Sequence, residues 1–241
     1  MNHKTPLLVD ADEFIYRACA GNEKEIILNN DHVLHADWGM ILFSLDSALG
    51  DLREATEMDL IFAISSPTNF RKDIASTYKS NRKATRKPMG MTRARELFLS
   101  GEYGECLIQD GLEADDILGQ ESSSYSMCSS DKDLRTVPGS LYNPTKGTWE
   151  VISQVEADRF LVEQVLSGDS ADGYPGCPGI GATRAKRALE GLGHPEEMVA
   201  VALALYEKAG LDREDMLKQA RQAFILRPGY DPGSLPYYWG T

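Results

Sequence analysis

The sequence predicts an α/β fold, with a central and mostly parallel sheet flanked by helices. Short apolar runs of strand length alternate with segments of helical periodicity, the pattern of a sheet covered on both faces. Two of those runs end on an aspartate, Asp10 and Asp131. Hydrophobic residues make up 42% of the 241 positions, ample for a buried core.

Leu7-Leu8-Val9 is a continuous apolar run, read as a buried strand ending at Asp10. Asp12 is expected to cap the helix that follows, with Phe14, Ile15 and Ala18 on its inner face. Residues 38–52 place Trp38, Ile41, Leu42, Leu45, Leu49 and Leu52 at helical spacing. A second buried strand runs over 60–64 and ends at Ser65-Ser66-Pro67. Cys106-Leu107-Ile108 reads as a third strand, residues 112–119 as a helix start, and residues 126–130 as a fourth strand leading into Asp131. In such a sheet, ligands collect beyond the carboxyl ends of the strands, so acids placed there converge.

Beyond Val155 the texture changes. A helix over about 155–167 gives way to a Gly/Pro-rich segment at 173–181, then to helical stretches at 182–191, 195–209 and 212–226. The tail from 227 to 241 carries three prolines and the aromatics Tyr230, Tyr237, Tyr238 and Trp239, and is expected to lie extended over the body.

No apolar run approaches the roughly 20 residues that span a bilayer, and Met1 to Pro6 carries no apolar signal core. The expectation is a soluble, cytoplasmic protein without a membrane partner. Cys19, Cys106, Cys128 and Cys177 show no CxxC spacing, which speaks against zinc and against a disulfide framework. Net charge is −12, yet residues 69–95 hold nine basic residues and one acid, Asp73. The rest carries 16 basic against 36 acidic residues, so a local cationic surface stands on a carboxylate-rich body.

The acids cluster in four places: Asp10/Asp12, Glu113-Ala114-Asp115-Asp116, Asp131-Lys132-Asp133, and Asp169-Ser170-Ala171-Asp172. Gathered in one pocket, they cannot all ionise unless cations neutralise them. All-oxygen donors suit two Mg²⁺ or Mn²⁺ ions, which can activate water and stabilise the leaving oxygen of a phosphodiester. Taken singly, each cluster is better explained as helix-start or turn acids; the four together are not.

Leu112-Glu113-Ala114-Asp115-Asp116-Ile117-Leu118-Gly119, Ser130-Asp131-Lys132-Asp133-Leu134 and the segment from Gly168 to Gly181 resemble the flap endonuclease/5′–3′ exonuclease superfamily. They follow in that order after Asp10 and the basic stretch Asn69-Phe70-Arg71-Lys72 to Tyr78-Lys79-Ser80-Asn81-Arg82. Within the superfamily the chain is similar to the 5′–3′ exonucleases of podovirus-type phages over about residues 7–230.

The resemblance implies a PIN-like nuclease core over 1–167, with a helical arch or gateway at about 68–100, and a helical region over 168–241 bearing a helix–hairpin–helix DNA-binding element. Asp10, Glu113 and Asp115 would hold one metal, with Asp116 beside them; Asp131, Asp133, Asp169 and Asp172 would hold or orient the second. Lys79 and Arg82, three apart and so on one helical face, would reach the scissile phosphate. Tyr78 would stack on the terminal base or line the gateway, or equally pack against the arch; Arg71 and Lys83 are implied DNA contacts. Gly176, Gly179 and Gly181 with Arg184 and Lys186 would grip a phosphate, with K⁺ at the hairpin as in relatives.

The implied activity is metal-dependent cleavage near 5′ ends or single-strand/duplex junctions of DNA, extending to RNA–DNA hybrids, by a monomer in the cytoplasm, that of a bacterial host for a phage-encoded enzyme. One departure stands out. Ser66 falls where relatives carry a carboxylate, so the first metal site is short of one ligand, and Ser66→Asp is expected to raise activity and sharpen metal dependence. Two alternatives stay open at this point: a structure-specific DNA-binding protein without catalysis, and a PIN-type RNase.

Overall fold

The computed structural model of the chain describes residues 5–29, 31–80 and 86–240. In chain order its elements are β1 (Leu7–Asp10), α1 (Ala11–Gly21), β2 (Glu23–Leu28), β3 (Asp31–Ala36), α2 (Trp38–Thr56), β4 (Leu60–Ala63), α3 (Arg71–Ile74), α4 (Met91–Leu99), β5 (Cys106–Leu107), α5 (Ala114–Gln120) and β6 (Ser126–Cys128). A 3₁₀ turn (Lys132–Thr136) leads to β7 (Gly139–Asn143), β8 (Thr148–Ile152), α6 (Gln154–Ser167), α7 (Ala182–Ala188), α8 (Pro195–Lys208) and α9 (Arg213–Ala223).

All four residues of β1 are buried, as its unbroken apolar run requires of a strand covered on both faces. It lies near the middle of a six-stranded sheet of order β5-β4-β1-β6-β7-β8. Every pairing is parallel except β7 with β8. Parallel neighbours end on the same edge. With Val9 level with Cys128, Asp10 and the residues leading to Asp131 leave the sheet side by side.

Side chains alternate along β1, and the two cores follow that alternation. Leu8 joins Ile61, Met127 and Leu141 under α5, α6, α8 and α9. Leu7 and Val9 join Phe62 and Cys128 under α1, α2 and α4, where Phe14, Ile15, Ile41, Leu45 and Phe98 are buried.

Four expectations are corrected. Asp10, not Asp12, caps α1, its carboxylate accepting from the Glu13 N–H at 3.3 Å; Asp12 accepts instead from the Ser65 N–H and the Arg95 guanidinium. Helix α9 stops at Ala223 rather than near 226, because Phe224 turns extended (ψ 113°) and Leu226 N–H bonds to Asp116. The tail lies on the body with Leu235, Tyr238 and Trp239 buried, but it ends in a 3₁₀ turn (Tyr237–Trp239) rather than extended throughout. Lys79 has φ 50°, so its own backbone is not helical. Arg82 and Lys83 themselves lie outside the described residues.

Two hairpins went unread in the sequence. Strands β2 and β3 pair only with each other, and the short apolar run Ile26-Ile27-Leu28 of β2 stays exposed. Strand β8 adds an antiparallel edge in which Thr148, Trp149, Glu150 and Val151 face solvent. Among the described residues no helix is long and apolar enough to cross a membrane.

Candidate active site

The carboxyl edge of the sheet opens into a cavity of about 300 Å³ whose lining includes Asp10, Asp12, Glu113, Asp115, Asp131, Asp133, Asp169 and Asp172. Each arrives by a local device. Asp10 ends β1 and Asp131 follows β6. Glu113 caps α5, which carries Asp115 in its first turn. Asp131 caps the 3₁₀ turn by accepting from the Asp133 N–H at 2.8 Å. Asp169 follows α6, where Gly168 (φ 71°) turns the chain against Pro175 and Gly176. Thus seven of the eight acids named as metal ligands from the sequence line one cavity. Asp12 joins them.

The electrostatics are those of a site short of positive charge. Burial, together with Asp12, Glu13 and Asp131, pushes the Asp10 carboxyl up to about 8. Burial and then Asp131 raise Asp133 to about 7. Asp115 is raised well above the carboxylate range by burial, then by Asp10 and Asp131, and its Oδ1 is buried with no hydrogen-bond partner among the described residues. Glu113 goes the other way: burial alone would raise it, but Lys79 and Arg71 outweigh that and hold it at about 2.

Two ammonium groups are interleaved with the acids. Lys79 Nζ lies 2.7 Å from Glu113 and 3.7 Å from Asp172; Lys132 Nζ lies 3.0 Å from Asp169 and 3.8 Å from Asp133. With lysines between them, no three acid, His or Cys side chains among the described residues are gathered closely enough to hold an ion as they stand. The donor set nevertheless fits hard divalent cations: every side-chain donor is oxygen, and the raised Asp10 and orphaned Asp115 oxygen lack a counter-charge.

Three predicted residues serve other purposes. Asp116 is fully buried and is removed from the ligand set. Its two oxygens take a bidentate pair of 2.7 Å hydrogen bonds from Arg71, and it also accepts from the Leu226 and Glu113 N–H groups. Arg71 is 2% exposed and donates further to the Gln222 and Phe224 carbonyls, so it is a buried strut rather than a DNA contact. Tyr78 is 3% exposed; its hydroxyl donates to Glu113 at 2.8 Å and Asp172 at 3.3 Å, leaving no ring face for a base.

Gly176 is likewise interior. A Cβ there would stand 2.3 Å from Gly168 N, and its N–H donates to Gln219 at 2.5 Å, so it faces protein rather than phosphate. Gly179 and Gly181 are exposed with open space beside them, and Arg184 and Lys186 are exposed nearby on α7. Arg184 donates to the Gly179 carbonyl at 2.8 Å.

Ser65, not Ser66, faces the cavity. Ser66 turns outward, its hydroxyl bonded to Thr68 at 2.9 Å and to Asp110 at 3.2 Å. The sequence reading also passed over Gln164, whose amide donates to Asp133 at 2.5 Å, and Tyr174, buried in the lining. Gln164 was open to discovery as a polar residue on the inward stripe of α6. Tyr174 gave no signal beyond lying between Asp172 and the glycines.

Residues 5–158 match the family model described as 5′-3′ exonuclease, N-terminal resolvase-like domain. The exodeoxyribonuclease of Enterobacteria phage T3 is 33% identical over 216 residues, covering 70% of this chain and 68% of its own length. The exonuclease of Escherichia phage T7 is 28% identical over 206 residues, with the same coverage of 70% and 68%. In fold, the chain is similar to the T5 5′-exonuclease solved with bound divalent zinc ions (TM-score 0.62, 17% identity, covering 91% of this chain and 89% of that one). It is also similar to the catalytic core of Rad2 in complex with DNA substrate (TM-score 0.57, 14% identity, covering 94% and 79%). The family match across most of the chain, over the α/β sheet described above, makes this chain a member of the 5′–3′ exonuclease family of nucleases, and so a hydrolase.

Proposed function

We propose that the protein is a divalent-metal-dependent 5′–3′ exonuclease and flap endonuclease, hydrolysing phosphodiesters near 5′ ends and single-strand/duplex junctions of DNA, RNA–DNA hybrids included. The observation that carries this reading is the cavity where eight carboxylates outnumber the cations that reach them among the described residues, Lys79, Lys132, Arg95 on Asp12 and an Arg71 already engaged by Asp116. The T5 relative solved with divalent ions and the Rad2 core solved on DNA support the metal and the substrate.

Asp10, Glu113 and Asp115 would hold one ion, and Asp131, Asp133, Asp169 and Asp172 a second, Mg²⁺ or Mn²⁺ by donor chemistry. Bound there, two such ions supply charge neutralisation and polarise both the attacking water and the leaving oxygen. The chain's own groups set the rest. Asp10 and Asp133 give up protons they otherwise retain near neutral pH. Lys79, left-handed at its backbone and bonded through its N–H to the Asp172 carbonyl at 2.9 Å, holds a fixed positive charge at the cavity wall for the scissile phosphate. Arg82 is assigned the same phosphate, and Lys83 a further DNA contact, from the sequence resemblance. Gly179, Gly181, Arg184 and Lys186 form an exposed grip for the duplex backbone, with K⁺ as its bridging ion. The nuclease core is assigned to 1–167 and the DNA-gripping region to 168–241. We assign a monomeric state.

The test is a 5′-tailed duplex incubated with the protein in Mg²⁺, in Mn²⁺ and in chelator. Cleavage from the 5′ side in either ion and none in chelator is expected. Binding with no cleavage in both ions would replace this reading with that of a structure-specific DNA-binding protein.

A further inference from the structure

Lys132 holds a position between two environments. Its ammonium sits 3.0 Å from Asp169 Oδ2 and 3.8 Å from Asp133 Oδ1, among acids assigned to the second ion. Its side chain is 67% exposed, and it lines both the carboxylate cavity and an adjoining groove along the β7–β8 hairpin, where Lys146 stands and Arg135 pairs with Glu150 at 2.7 Å.

The contrast with Lys79 is instructive. Lys79 is 16% exposed, and its backbone is tied to Asp172, so its ammonium is fixed at the wall. Lys132 hangs on a flexible stem at the rim, where a solvent-exposed ion pair is weak and easily exchanged. An ammonium 3 Å from Asp169 and a divalent ion on the same oxygens repel, and both cannot occupy one pair of carboxylates.

We propose that Lys132 is the resident counter-ion of the second carboxylate cluster, displaced by the incoming divalent ion into the adjoining groove, where it joins Lys146 on a DNA phosphate. The inference rests on the metal and DNA reading above. It predicts two linked effects. Lys132 weakens the second ion's binding in free protein, because the ion must expel it. It also couples the two ligands: the ion releases a phosphate-binding charge, and by reciprocity DNA that captures that charge tightens the ion.

Lys132→Met removes the charge and keeps the stem; Lys132→Arg keeps the charge. Because the side chain is exposed, both variants should unfold at the parent's temperature. The experiment is calorimetric titration with Mn²⁺ in the absence of DNA, paired with anisotropy of a 5′-tailed duplex in Ca²⁺ and in chelator. In Lys132→Met the weaker of two Mn²⁺ ions is expected to bind on the order of 10-fold tighter, as for loss of one adjacent like charge. The gain in DNA affinity conferred by Ca²⁺ should shrink several-fold, with Lys132→Arg behaving as the parent. Equal or weaker Mn²⁺ binding in Lys132→Met, or an unchanged Ca²⁺ gain, overturns the role of Lys132 alone. A parent that takes up no Mn²⁺ overturns the metal reading with it.

Discussion

Two regions of the molecule treat buried negative charge in opposite ways. In the struts, each acid has its arginine. Asp116 receives both arms of Arg71 at 2.7 Å. Asp158 receives Arg227 at 2.5 Å together with the Tyr238 hydroxyl at 2.6 Å and the Gln154 amide at 2.9 Å. In the cavity, acids outnumber their partners, Asp115 keeps an unbonded oxygen, and Asp10 is pushed to about 8. Asp115 and Asp116 are consecutive residues with opposite fates. A buried acid that is fully paired builds the fold. One left uncompensated marks a place where a cation from outside belongs.

That contrast can be broken first at the cavity. Asp131→Ala should lower cleavage of a 5′-tailed duplex on the order of 1,000-fold or more, several kcal/mol of transition-state stabilisation. Without metal the same variant loses repulsion but also the cap on the Asp133 N–H, so its unfolding temperature should stay within a few degrees of the parent's. The struts predict the reverse. Arg71→Met strands Asp116 in the core and should cost about 3–5 kcal/mol in denaturant unfolding. Its added divalent ion should restore little, since the lost charge is not in the cavity.

Gly176→Ala tests the crossing that brings Asp169 and Asp172 into place. With φ 75° and a Cβ 2.3 Å from Gly168 N, it should cost about 1–3 kcal/mol of stability, read from the denaturation midpoint.

A pH series sharpens the comparison further. The carboxyls of Asp10 and Asp133 stand at about 8 and about 7, against an unfolded value of about 3.9. The folded chain therefore binds more protons across that window, and metal-free stability falls as pH rises from about 4 through 8. Thermal scans at pH 6 and pH 9 should show the loss, and Mn²⁺ should recover it at pH 9.

The smallest effect is expected of Ser66→Asp. Its side chain points at Asp110 and Thr68 rather than into the cavity, so cleavage should change by no more than about 2-fold, with one more acid on a screened surface. Ser65→Asp would place its carboxylate in the lining and should sharpen Mg²⁺ dependence more than Ser66→Asp does.

The legible part of the fold was local. Strand β1 announced itself as an apolar run with an acid at its end, and the parallel-sheet rule brought Asp10 and Asp131 to one edge. Helices α6 and α8 were legible because capping signals and apolar spacing agree within each segment. What escaped depended on distant partners. Asp116 looked identical to Asp115, and only Arg71, arriving from 45 positions away, separates them. Gly176 read as a phosphate-binding glycine, whereas its lack of a side chain serves the close pass at Gly168. Tyr78 faced two readings from sequence, and the acids that surround its hydroxyl come from Glu113 and Asp172. The β2–β3 hairpin went unread although β2 carries the apolar run Ile26-Ile27-Leu28, because its strands pair only with each other and that run stays exposed rather than joining a core.

The central claim is that the uncompensated carboxylates, and not the paired ones, take up divalent ions. Anomalous diffraction at the manganese edge from crystals soaked in Mn²⁺ tests it directly. The account predicts two peaks in the cavity, one against Asp10, Glu113 and Asp115 and one against Asp131, Asp133, Asp169 and Asp172, with the Arg71–Asp116 pair intact. An ion bound at Asp116 with Arg71 displaced, or a cavity without manganese at saturating concentration, would contradict it.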